Sequence, residues 1–224
     1  LEQQQIMASP YDHYFTKDPY MAWFMKDMAG LNAHYLPEAF NPRFHTPIES
    51  DREILEAEVN MDVLVFGNMY PYRTRIIEQV RNAGIQVNVY GIRNRYFPEK
   101  LNDVFRNHKI VGSEKAHKIV GAKINLNCFH YSEIESVNVK YFEINGIGGF
   151  QLCDYKTALK DYSPVDPTRY SFSSTKQAIE LLRYYLERPE ERHQIAEVQR
   201  KYFLEHHTYE KRMEYILDTI SKSA

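Results

Sequence analysis

From about residue 60 the chain alternates short apolar runs with longer stretches whose apolar residues recur every three or four positions. Asp62-Val-Leu-Val-Phe-Gly67, Ile85-Gln-Val-Asn-Val-Tyr-Gly91, Ala122-Lys-Ile-Asn-Leu-Asn127 and Phe150-Gln-Leu-Cys153 have the length and apolar content of buried strands. A shorter strand is expected over His108 to Gly112. Between the first two runs, Arg73 to Ala83 reads as a helix with Ile76, Ile77 and Val80 inward, stopped by Gly84. Ser113 is expected to cap a helix ending near Gly121. A further helix is expected to carry Glu135 and Glu143 on one side, with Asn138 and Lys140 near its middle. After a loop rich in Asp, Ser and Pro (161–168), helices are expected from near Ser174, after Pro189, and from Thr208 to about Ser221. The last has Met213, Ile216, Leu217 and Ile220 at helical spacing. This alternation predicts an α/β fold: a mostly parallel sheet with helices on both faces.

The opening is different. Tyr11-Asp-His-Tyr-Phe15 is strand-like, Pro19 to Met28 is a short helix ending near Gly30, and Ala33 to Pro37 is another short strand. Pro42, Pro47 and the acidic run Glu49-Ser-Asp-Arg-Glu53 read as a linker. The expected division is residues 1–55 as the end of a preceding domain and a linker, 56–200 as the main domain, and 201–224 as a C-terminal helix. Leu1 is an unusual first residue, so a fragment of a longer protein is expected.

Composition narrows the function classes. A net charge of -2 over 224 residues argues against nucleic acid and acidic membrane surfaces as partners. No run reaches the roughly 18 apolar residues a membrane span needs. Cys128 and Cys153 both lie in strand-like runs, which predicts buried, reduced thiols in a cytoplasmic protein. The histidines show no ligand spacing, and His206-His207 falls at a helix end, where a cation suits the dipole. No metal site is expected.

The candidate chemistry sits around Glu135-Ser-Val-Asn-Val-Lys-Tyr-Phe-Glu143-Ile-Asn-Gly146-Ile-Gly148-Gly149. A carboxylate at the carboxyl edge of a parallel sheet is placed to grip sugar or ribose hydroxyls. Gly146, Gly148 and Gly149 permit a turn with close backbone approach, although they lack the spacing of the dinucleotide fingerprint. Arg73, with Arg75 as the alternative, follows the Gly67 turn at the start of a helix. A guanidinium there would stabilise negative charge on a leaving phosphate. No Asp-x-Asp occurs, so a metal-held diphosphate finds no support in the sequence.

The ordered series Val65-Phe-Gly67, Tyr70, Arg73; Lys123-Ile-Asn-Leu-Asn127; Asn138-Val-Lys140-Tyr-Phe142-Glu143; and Gly148-Gly149-Phe150 resembles the CgeB-like (spore-maturation-protein-like) glycosyltransferases. Tyr184-Tyr-Leu, Pro189-Glu-Glu-Arg192, His207-Thr208-Tyr209 and Arg212 continue the likeness, which runs from Tyr11 onward. It implies a retaining GT-B enzyme of hexosyltransferase type, of which this chain is the Rossmann-like donor domain with a remnant of the first domain. The substrate would be a nucleotide diphosphate sugar, with no other cofactor. The acceptor would be a glycan, a lipid-linked molecule or a protein, in cell-surface polysaccharide or glycan biosynthesis. The full-length protein would be cytoplasmic or peripheral to a membrane.

By the same resemblance Glu143 would hold the donor ribose and Glu135 the donor sugar, with Glu133 a competitor for that place. Gly67, Asn138, Lys140, Gly148 and Gly149 would line the donor site, and Arg73 would act with Glu135 in catalysis. Lys140 departs from the family, which has Arg there. A non-catalytic binding module and a nucleotide-sugar epimerase of the same fold are the alternatives.

Overall fold

The computed structural model describes residues 3, 6, 10–44, 51–95 and 97–222. Five parallel strands form the main sheet: β3 (Met61–Phe66), β4 (Val87–Tyr90), β5 (Ala122–Asn127), β6 (Gln151–Asp154) and β7 (Ser171–Phe172), in the order β4-β3-β5-β6-β7. Val63 stands opposite both Val87 and Ile124, so β3 is paired on each side. The chain leaves β3 toward β4 and later returns to the other side of β3. That reversal opens a crevice beyond the carboxyl ends of the central strands, the usual ligand position in such sheets.

Alternation along each strand sends side chains to two separate cores. Val63, Val65, Ile124 and Leu126 face one side, packing with Ile76, Ile77 and Val80 of α3 (Pro71–Asn82) and Leu182 of α7 (Thr175–Leu186). Leu64 and Phe66 face the other, against Ile119 of α4 (Gly112–Gly121), Ile144 of α5 (Val139–Ile147) and Leu55 of α2 (Arg52–Val59). Each such side chain contributes roughly 1.5–3 kcal/mol of transfer free energy, so both helical layers hold firmly to the sheet.

The remaining elements are a small parallel pair, β1 (Tyr14–Thr16) and β2 (Ala33–Tyr35), joined by α1 (Pro19–Trp23) and one π-helical turn over Phe24–Met28. Then come α6 (Leu159–Tyr162), α8 (Pro189–His206) and α9 (Tyr209–Ser221). A buried Arg192 ties α8 to α2: its Nη2 donates to Glu56 Oε2 at 2.7 Å, while His193 Nε2 lies 2.8 Å from Glu56 Oε1.

Several expectations are corrected. The helix expected to carry both glutamates begins only at Val139, with Asn138 as its cap, so Glu135 lies outside it. Asn138 and Lys140 therefore stand at its amino end, not its middle. Residues 108–111 form no strand; Ile110 is buried, but the segment pairs with no neighbour, and Ser113 lies inside α4 with Val111 at the cap position. The acidic linker is shorter than expected, because Asp51 accepts from Glu53 N and Ile54 N and starts α2; Pro47 and Glu49 lie outside the described residues. The loop 161–168 is partly helical, through α6 and a 3-10 turn at Pro167–Arg169. Finally, α9 buries none of its residues: Met213, Leu217 and Ile220 are exposed, so its apolar stripe does not face this core.

Candidate functional site

The cleft at the carboxyl edge of β3 and β4 has a volume of about 500 Å³, with Gly67, Tyr90, Gly91, Lys109, Lys115 and Lys140 among its walls. Its floor depends on two glycines. Gly67 turns the chain after β3 with φ of +103° and donates its N–H to Tyr90 O at 2.9 Å. A Cβ on Gly91 would meet Gly67 O at 2.4 Å, so any side chain there would force the strand ends apart.

Two cations converge on that turn. Lys140 Nζ lies 3.5 Å, and Arg73 Nη1 3.8 Å, from where a Cβ on Gly67 would stand. Lys140 sits in the first turn of α5 and donates to Phe66 O at 3.1 Å. Arg73 is buried, bonded through Nη1 to Asn68 O and through Nη2 to Cys128 O at 2.6 Å. It thereby pins the loop after β3 to the loop after β5, while its Nε has no hydrogen-bond partner. Burial, with the Arg73 charge beside it, holds the Lys140 ammonium well below the ordinary lysine range. Burial likewise lowers Arg73 and pushes the Cys128 thiol up to about 12. An anion entering here would favour the charged form of Lys140 and meet the Arg73 guanidinium beside it, both partly stripped of water.

Glu143, one turn further along α5, forms an ion pair of 3.0 Å with Lys115, and both side chains are 13% exposed. Lys115 lines the cleft, and Glu143 stands behind it, reaching the cleft through that ion pair and not as a wall residue. Asn138 has a different job: its side chain accepts from Tyr141 N at 3.2 Å and exchanges two 3.0 Å amide hydrogen bonds with Asn127. It sets where α5 begins relative to β5.

Glu133 and Glu135 lie on the loop before α5, and they diverge. Glu133 is buried, accepting from Lys17 Nζ at 3.0 Å and from Ser136 Oγ at 2.7 Å. Glu135 has an exposed side chain, while its backbone N–H and that of Ser136 donate to Asp18 Oδ2 at 3.1 and 3.2 Å. Asp18 thus takes the amides of a bent segment, and the helix starts only at Val139. Gly148 and Gly149 are not brought to the cleft. They lie past the carboxyl end of α5, where the chain turns back into the start of β6, at the other edge of the sheet. A Cβ on Gly149 would meet Ile119 Cγ2 at 2.6 Å, and one on Gly146 would strike the Phe40 ring at 2.4 Å, so packing explains both.

The structure adds Lys115, Lys109, Tyr90 and Gly91 to the site. Tyr90 and Gly91 close the strand run from Ile85, and the signal for the two lysines is the run Lys109-Ile-Val-Gly112 leading into a helix, which reads equally as a strand. Among the described residues no group of three or more His, Cys, Asp or Glu could hold a metal ion, and no helix is long and apolar enough to cross a membrane.

Residues 73–218 match the family described as glycosyl transferase-like. The chain belongs to that family. The glycosyl transferase-like chain also has the fold of GT-B glycosyltransferases. It superposes on a sucrose-phosphate synthase from Thermosynechococcus elongatus with a TM-score of 0.71 and 12% identity, covering 99% of this chain and 61% of that one. Against Anabaena HepE in complex with UDP-glucose the TM-score is 0.66 at 10% identity, covering 94% and 64%. T4 phage BGT in complex with its UDP-glucose substrate gives 0.56 at 13% identity, covering 91% and 60%. The chain therefore spans less than two thirds of the length of each of these structures. No curated protein matches it.

Proposed function

We propose that this chain is the donor-binding part of a retaining hexosyltransferase, cytoplasmic and of the CgeB-like branch, and that its cleft holds a nucleotide diphosphate sugar. The observation that carries this reading is the convergence of Lys140 and Arg73 on the Gly67 turn at the amino end of α5. The diphosphate lies against Lys140 Nζ and the first amides of α5, with Arg73 beneath supplying charge and fixing the two loops. The ribose hydroxyls reach the Glu143 carboxylate, which Lys115 orients. The base extends toward Tyr90 and Lys109. The sugar projects over the loop before α5, where the exposed Glu135 meets its hydroxyls. UDP-glucose in the Anabaena and T4 phage structures supports a UDP-sugar as the first donor to test.

In the transfer step the anomeric carbon–oxygen bond to the β-phosphate breaks as the acceptor hydroxyl oxygen bonds to the same carbon. The electron pair goes to the leaving phosphate, which takes the acceptor's proton. Lys140, the helix amides and Arg73 stabilise that developing charge, so no metal ion is needed in the step.

Calorimetry with UDP tests the assignment on the intact chain, Lys140→Met and Glu143→Ala. UDP affinity is expected to fall by about a hundredfold in Lys140→Met and about tenfold in Glu143→Ala, the scale of lost charge-assisted contacts. No UDP binding by the intact chain, or equal binding by all three, would overturn it.

A further inference from the structure

A second hollow lies at the same edge of the sheet, beyond the loop that Arg73 pins. It has a volume of about 370 Å³, lies at the ends of β5, β6 and β7, and is walled by Tyr72, His130, Tyr131, Tyr155 and Asp154. It adjoins another of about 320 Å³, with which it shares Tyr155 and Ser173. Together they form one groove running from Tyr131 toward Thr168 and Gln177.

Three features say what fits. First, the rings stay in water: Tyr131 is 87%, Tyr72 48% and Tyr155 36% exposed, so core packing does not explain them. Tyr70, His130 and Tyr131 follow one another at centroid distances of 4.3 and 4.0 Å, an aromatic wall leading from the Arg73 loop into the groove. Second, the wall is fixed. Asp154 is largely buried and accepts from Tyr72 Oη at 2.5 Å and from Phe129 N at 2.6 Å. Third, the groove carries little net charge. Lys156, tied by donating to Glu133 O and to Ile134 O at 3.0 Å, offsets the Asp154 carboxylate, as Lys160 offsets Asp166. What remains toward the far end is hydroxyl and amide: Ser173, with Thr168, whose hydroxyl donates to Asp166, and Gln177, whose Oε1 accepts from Ser173 N.

Flat rings beside neutral hydroxyls and amides suit pyranose units, whose C–H faces stack on aromatics while their hydroxyls take hydrogen bonds. An anionic polymer would find no cationic stripe here. Arg73 links the groove to the donor cleft: it donates to Asn68 O beside the cleft and to Cys128 O, and the next residues, Phe129 and His130, line the groove.

We propose that this groove is an acceptor subsite that takes a neutral oligosaccharide, two or more sugar units long, with its reacting end toward Tyr70. Only the word acceptor rests on the donor reading above; glycan binding by the groove stands without it.

The test uses the whole chain with ¹³C-labelled tyrosine rings, titrated separately with maltotriose, cellotriose, chitotriose, a Gly-Ser peptide and UDP. At least one trisaccharide is expected to shift the Tyr131 and Tyr155 signals. Tyr131→Ala and Tyr155→Ala should each weaken that binding about tenfold and leave UDP affinity within about twofold, as expected for a stacking contact remote from the phosphates. Both rings are exposed, so these variants keep the fold. Saccharide binding without UDP binding would remove the donor reading and keep the groove. No tyrosine shift with any trisaccharide, unchanged saccharide affinity in both variants, or tighter binding of the peptide would overturn the proposal.

Discussion

The two ends of α5 share nine residues of helix and almost nothing else. At the amino end the sequence leaves room: Lys140 faces the cleft, Asn138 fixes the start, and Glu135 stays exposed on the incoming loop. At the carboxyl end it removes room. Gly146 lies under Phe40, Gly148 takes φ of +106°, and Gly149 is wedged against Ile119 and Asn125. Glycine there serves packing, while the other end gathers charge at the cleft. Features that stand side by side in a sequence motif can thus be separated in space by the length of a helix.

Substitution at the packed end should give the largest effect. In Gly149→Val the new Cβ would meet Ile119 O and Asn125 Nδ2, each at 2.8 Å, and neither can withdraw freely. A loss of about 3 kcal/mol or more is expected in urea unfolding, with UDP affinity retained by the folded fraction. A variant as stable as the parent would erase the contrast between the two ends.

The middle of α5 sharpens it through pH. His207 packs on Phe142 at a centroid distance of 5.4 Å, donates from Nε2 to Tyr162 O at 2.9 Å and accepts at Nδ1 from Arg212 at 2.8 Å. Burial, reinforced by the Arg212 charge, lowers its pKa to about 4. The unfolded chain takes up that proton near pH 6.5, so the folded state is fully favoured above 6.5 and loses ground as pH falls toward 4. Over that window the parent should lose up to roughly 3 kcal/mol more than His207→Gln, whatever other groups contribute to both. Parallel pH–stability curves for the two proteins would contradict this.

The smallest effect on binding belongs to the exposed end. Glu135→Gln should leave the melting temperature and UDP affinity within experimental scatter while slowing transfer from UDP-glucose by about tenfold. A tenfold change in UDP affinity instead would mean that Glu135, not Glu143, holds the nucleotide.

How much of this was legible depends on how local the cause is. The run Asp62 to Gly67, the helix expected over Arg73 to Ala83 and the three closing helices follow from apolar period and caps within a few residues, and the structure has them, the first helix starting two residues earlier at Pro71. The start of α5 does not: Asp18, 117 residues before Glu135, takes the amide that would otherwise begin a helix. Nor could the spacing of Met213, Leu217 and Ile220 say what covers them; periodicity marks a face, and this core leaves that face in water. Lys109 and Lys115 were obscured because the segment 108–111 is strand-like in composition yet has no strand to pair with.

The fastening of the loop before α5 has a practical consequence. Its shape is borrowed from the chain's opening: Lys17 bridges Glu133 at 3.0 Å and Glu38 at 3.1 Å, while Asp18 grips two of its amides. A shortened protein that began at α2 would lose Phe40 from the larger core of the main sheet and, with Lys17 and Asp18, the clamp on the loop that carries Glu135. The first forty residues therefore belong in every sample used to test the donor reading.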